Sequence, residues 1–111
     1  MEIEQTETET GVLVVNLDGR LDVAGAATAD MPFSVIAGSY EKVVVDLQKV
    51  EFIASIGIRV LIQCARRLAQ KGGGMVLLAP QETVERVLTT TGIDQLMPIV
   101  ATADEAHARF A

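Results

Sequence analysis

The sequence predicts a single-domain α/β fold: a mixed β-sheet with an antiparallel opening hairpin, parallel βαβ units and the main helices packed on one face. Three observations lead there. β-branched runs at residues 12–17 and 43–47 alternate with helix-patterned stretches. The 111 residues are half hydrophobic and only 4% aromatic, enough for one aliphatic core over 1–111 and too few for a second domain. Short strand–helix–strand crossovers return right-handed to a neighbouring parallel position, which places the strands side by side in one sheet.

The opening decapeptide Met1–Thr10 alternates acidic and short polar residues and reads as a solvated edge strand. Val12–Leu17 is a stronger, nearly all-apolar strand, with Asp18-Gly19 expected to close it as a turn. Ala24–Ala37 is alanine-rich and helical in pattern, with Pro32 expected to kink it or restart it and Gly38 to end it. Val43–Leu47 is the most continuous β-branched run, the pattern of a central strand covered on both faces.

Ile56–Lys71 is the clearest helix. Projected at 100° per residue, Ile58, Leu61, Ile62, Cys64, Ala65, Leu68 and Ala69 form the apolar arc, opposite Arg59, Gln63, Arg66, Arg67, Gln70 and Lys71. Gly72-Gly73-Gly74 stops it. A strand at Met75–Ala79 leads through Pro80 to a helix at Gln81–Thr90 that turns Val84, Val87 and Leu88 inward, with Gly92 as a left-handed cap. A last strand near Pro98–Val100 and a helix over Thr102–Arg109 complete the pattern.

With 15 acidic residues against 9 basic, the net charge of −6 repels phosphate backbones and anionic lipid, so neither nucleic acid nor a membrane is an expected partner. Cys64 is the only cysteine, which rules out an intramolecular disulfide. The acidic start resembles no secretory signal and no apolar run reaches spanning length, so a cytoplasmic location is expected.

Catalysis calls for convergent groups, and the single histidine, His107, is far in sequence from Ser55 and Cys64. Two isolated ligands do not make a metal site, so neither enzyme activity, metal nor cofactor is expected, and Cys64 reads as a small core residue. The triple glycine follows a helix and precedes a strand, the reverse of a phosphate loop, and no Lys-Ser or Lys-Thr pair follows it.

Ser55 is the residue that invites a functional reading. Lying between an apolar strand and an amphipathic helix, its hydroxyl either caps the helix amides or stands accessible, where a phosphate replacing it would meet the positive end of the helix dipole. Ile56 and Val60 project onto the polar side with Gln63 and Arg67, which suggests a docking patch beside it, although scattered surface Ile and Val are common.

Gly19-Arg20-Leu21-Asp22 resembles the Gly-x-Leu-Asp turn of STAS domains, the anti-sigma factor antagonists and their relatives, and Val43–Val50 resembles their central strand. Phe52–Ile58 is similar to the segment that usually reads Phe-x-Asp-Ser-Ser-Gly-Leu, and Gly73-Gly74-Met75 and Thr91-Gly92-Ile93 fall where the family has a glycine-led strand and a Ser/Thr-Gly-Leu turn. The resemblance covers nearly the whole chain. It implies a non-enzymatic binding switch: an anti-sigma factor with serine-kinase activity phosphorylates the serine at the Ser55 position, a serine phosphatase reverses this, and only the unmodified form captures the kinase and releases a sigma factor.

By the same resemblance Ser55 is the phosphoacceptor, and Asp22, Ala54, Ile56, Gly57, Arg59 and Val60 form the partner-binding surface, with Gly57 allowing close backbone approach. Two positions depart from the pattern: Ala54 replaces the Asp and Ile56 the second Ser or Thr. A more apolar helix start also suits constitutive docking, so an accessory subunit of a lipid-transport or secretion complex is the alternative.

Overall fold

The computed structural model describes residues 1–110. Its elements are β1 (Glu2–Glu7), β2 (Leu13–Leu21), α1 (Val23–Ser39), β3 (Lys42–Ile53), α2 (Ser55–Gln70), β4 (Gly74–Leu78), α3 (Glu82–Thr90), a 3-10 turn (Ile93–Gln95), β5 (Ile99–Val100) and α4 (Ala103–Ala108). The strands lie in the spatial order β1-β2-β3-β4-β5, with β1 antiparallel to β2 and the other pairs parallel. The expected mixed sheet with an opening hairpin is therefore the observed one.

Alternation along each strand divides the apolar side chains between two faces. Leu13, Val15 and Leu17 of β2, Val43, Val45 and Leu47 of β3, and Met75 and Leu77 of β4 face a main core closed by Ala29, Phe33 and Ile36 of α1, by Leu61, Cys64 and Leu68 of α2, and by Val84 and Leu88 of α3. The other face holds a smaller cluster, Val12, Val44, Val76 and Leu78, covered by Ala106 of α4. The central strand is covered on both faces for this reason, and α1 and α2 share one of them.

Four local expectations are corrected. Asp18-Gly19 is not a turn: β2 runs on to Leu21, which is fully buried opposite Ile53, and Gly19 (φ 126°) sits between two register shifts that absorb the local irregularity. Gly38 does not end α1, which continues through Pro32 to Ser39 and stops where Tyr40 turns extended. Val87 is more than a third exposed, because α3 meets the sheet along the narrow line of Val84 and Leu88. Ala69 is exposed and Ile62 only half-buried, while α2 turns Val60 inward instead. Gly92 does adopt the left-handed conformation, and it opens the 3-10 turn.

Candidate functional site

The parallel pair β2 and β3 ends in register, Leu21 beside Ile53, and each strand passes directly into a helix. The first turns of α1 and α2 are thus neighbours at the carboxyl edge of the sheet. The Ala54 amide donates to the Leu21 carbonyl at 3.0 Å and ties the two junctions together. Carboxyl edges of parallel strands are where open α/β sheets gather their binding residues.

At the start of α1, Asp22 is the N-cap: its Oδ1 accepts the Gly25 amide at 2.9 Å and its carbonyl accepts the Ala26 amide at 2.7 Å. The Gly25 amide, with help from the nearby Arg20 guanidinium, holds the Asp22 carboxyl below the usual carboxylate range. Arg20 Nε lies 3.6 Å from Asp22 Oδ2, and its guanidinium carbon rests 4.5 Å from the centre of the Phe52 ring. Arg20 and Phe52 face each other across β2 and β3, and Phe52 is 41% exposed. Sequence reasoning gave neither residue a site role, because the strand register that opposes them has no local signature.

At the start of α2 the N-cap is Ala54, which has no side chain to accept an amide. Ser55 is the first helical residue, exposed, and its hydroxyl makes no hydrogen bond to protein among the described residues. The Ala54 carbonyl accepts from Gly57 and Ile58, leaving the Ser55 and Ile56 amides pointing outward without a protein acceptor among the described residues. The capping account of Ser55 is therefore set aside. The same placement shows what the Ala54 departure removes: an Asp there would stand at the cap, as Asp22 does in α1.

Of the expected partner surface, Ile56 is 43% exposed and Arg59 is exposed, whereas Val60 and Gly57 are buried. Val60 was projected to the outside because a helical wheel allows for one buried arc, yet α2 packs on both the sheet and α1 and so buries two. Gly57 does permit a close approach, but an internal one. A Cβ there would fall 2.6 Å from both the carbonyl oxygen and Cγ of Leu21. Cys64 lies in the core, where burial pushes its thiol up to about 11 and keeps it neutral. His107 is on α4, across the sheet from α2. Among the described residues no helix is long and apolar enough to cross a membrane.

A family profile for the STAS domain matches residues 4–106. The chain belongs to the STAS domain family. An anti-sigma F factor antagonist of Paenibacillus polymyxa is 31% identical over 97 residues, 86% of this STAS chain and 83% of that protein. A Thermotoga maritima protein provisionally assigned as an anti-sigma factor antagonist is 36% identical over 67 residues, so the aligned part spans 60% of this chain and 59% of that relative. Among solved structures, an anti-sigma factor antagonist of Mycobacterium paratuberculosis superposes with a TM-score of 0.83 at 30% identity, covering 97% of this STAS domain and 93% of that chain.

Proposed function

We propose that this STAS domain is an anti-sigma factor antagonist, a non-enzymatic module that captures an anti-sigma factor through the carboxyl edge of β2 and β3 while Ser55 is unmodified. One observation carries the reading. The Ser55 hydroxyl stands exposed and, among the described residues, unbonded at an uncapped helix start, beside the exposed Ile56 and the Asp22-capped start of α1. Such a hydroxyl is open to a kinase, and its modification disturbs no internal contact.

A phosphate on Ser55 brings about −1.5 to −2 charge and three acceptor oxygens. The outward amides of Ser55 and Ile56 and the dipole of a 16-residue helix favour that anion, so the fold persists. A partner surface seated over Ile56 has to bury the dianion, which is costly, so docking is lost. The partner in this reading is an anti-sigma factor with serine-kinase activity, and a serine phosphatase restores the docking form. The antagonist relatives support this over the transport-subunit alternative.

The test is a titration of wild type and Ser55→Asp against the anti-sigma kinases of the host, with intact-mass analysis of each mixture after ATP. Wild type should bind one kinase and gain a single phosphate, Ser55→Ala should gain none, and Ser55→Asp should bind at least about tenfold more weakly. Equal binding by wild type and Ser55→Asp, with no phosphate arriving, refutes the proposal.

A further inference from the structure

Charge is unevenly divided in this molecule. The chain carries −6 overall, but α1 and α2 together hold three arginines, Arg59, Arg66 and Arg67, against one acid, Asp30. Arg67 is engaged with the Ser34 carbonyl at 3.2 Å, whereas Arg59 and Arg66 have no ion-pair partner among the described residues. These arginines border a groove between the two helices. It consists of two cavities of about 380 Å³ and about 350 Å³ that share Asp30, Val60 and Gln63 and so run on from one to the other.

The α1 wall of this groove carries the exposed apolar Val23 and Ala27 at one end and the exposed polar Asp30 and Ser34 farther along. Val23, 72% exposed, and Ala27 line the groove four residues apart, and the same apolar stripe continues through Met31 and Val35 on the outer side of α1, beyond the groove lining. Ile56 extends the same surface from α2. Apolar anchors at helical spacing beside a cationic border match a helix-in-groove mode of recognition, in which apolar residues of the ligand seat in the groove and its acids meet the border. A second copy of the chain placed here about a two-fold axis would bring two sets of these arginines into one interface.

We infer that the α1–α2 groove binds an acidic amphipathic helix of another protein. The groove shares Ile56 and Arg59 with the docking surface of the antagonist reading, but the inference is argued from the groove's own lining and charge, and its test involves neither kinase nor phosphate. The probes are two labelled helical peptides with Leu at i, i+4 and i+7, one with Glu at the flanking positions and one with Lys. They are titrated into the full chain by fluorescence anisotropy, with folding of each variant checked by thermal melt.

The Glu peptide should bind at least about tenfold more tightly than the Lys peptide, and raising the salt should narrow the gap. Arg59→Glu with Arg66→Glu should reverse the preference, and Val23→Glu should weaken the Glu peptide by a similar factor. Equal affinity for the two peptides, binding of neither, or indifference to these substitutions overturns the inference. So does a concentration-dependent dimer in sedimentation that Val23→Glu abolishes, since the groove is then a self-interface.

Discussion

The starts of α1 and α2 are built to one plan and finished differently. In each, the third residue after the N-cap is a buried glycine that brings the helix close to the end of β2: Gly25 against the Arg20 carbonyl, Gly57 against Leu21. In α1 the cap is Asp22, whose carboxylate takes up the Gly25 amide; in α2 the cap is Ala54, and nothing among the described residues takes up the Ser55 and Ile56 amides. One start is satisfied internally and anchors its helix. Its neighbour is left open, and there lies the exposed serine. Unmet hydrogen-bonding capacity, rather than any side-chain cluster, distinguishes the edge where docking is proposed.

The shared part of the plan gives the largest effect. A Cβ at Gly25 would fall 2.0 Å from the Arg20 carbonyl oxygen, and one at Gly57 2.6 Å from the Leu21 carbonyl oxygen. Alanine raises helix propensity by about 1 kcal/mol, but the overlap requires a backbone shift that outweighs it. Gly57→Ala should lower the unfolding free energy by about 1–3 kcal/mol in urea titration, and Gly25→Ala by more. An unchanged midpoint for Gly57→Ala would mean that α2 does not rest on Leu21.

Exchanging the caps should exchange the behaviour of the two starts. Ala54→Asp gives α2 the acceptor it lacks and should raise stability by about 1 kcal/mol at neutral pH. Asp22→Ala should lower stability. Because the folded-state pKa of Asp22 is depressed below the ordinary 3.8, its contribution is present above that value and lost as the pH falls through the depressed one. The gap between wild type and Asp22→Ala in urea midpoint should therefore hold steady from neutral pH down to about pH 4 and close in stronger acid. A gap that persists unchanged at pH 2 would show that the Asp22 carboxylate is not the cap.

The sequence displayed the sheet more clearly than the edge that carries the site. Val43–Leu47 and the arc Ile58, Leu61, Cys64, Ala65, Leu68 were legible because burial repeats with the period of the backbone. Asp18-Gly19 was misread because a local turn signal competes with a distant pairing partner, and Leu21 opposite Ile53 decides in favour of the strand. Val60 was misplaced for the same kind of reason, since the neighbour that buries it, α1, precedes it by some 30 residues. The junction that holds Ser55 was legible from residue type, but whether the serine caps or stands free depends on a shift of one residue in where the helix begins. The Arg20–Phe52 stack needed the register of two parallel strands, which no window of sequence contains.

The smallest expected effect makes the most specific statement about Ser55. A serine that caps a helix loses about 1 kcal/mol on replacement by alanine, because an amide loses its acceptor. At Ser55 no bond is broken, and alanine is the better helix former by a few tenths of a kcal/mol. Ser55→Ala should thus leave the urea midpoint within about 0.5 kcal/mol of wild type, on either side. It should nonetheless remove the proposed site of modification. A loss of about 1 kcal/mol would place the hydroxyl back in a capping bond, and the contrast between the two helix starts would vanish with it.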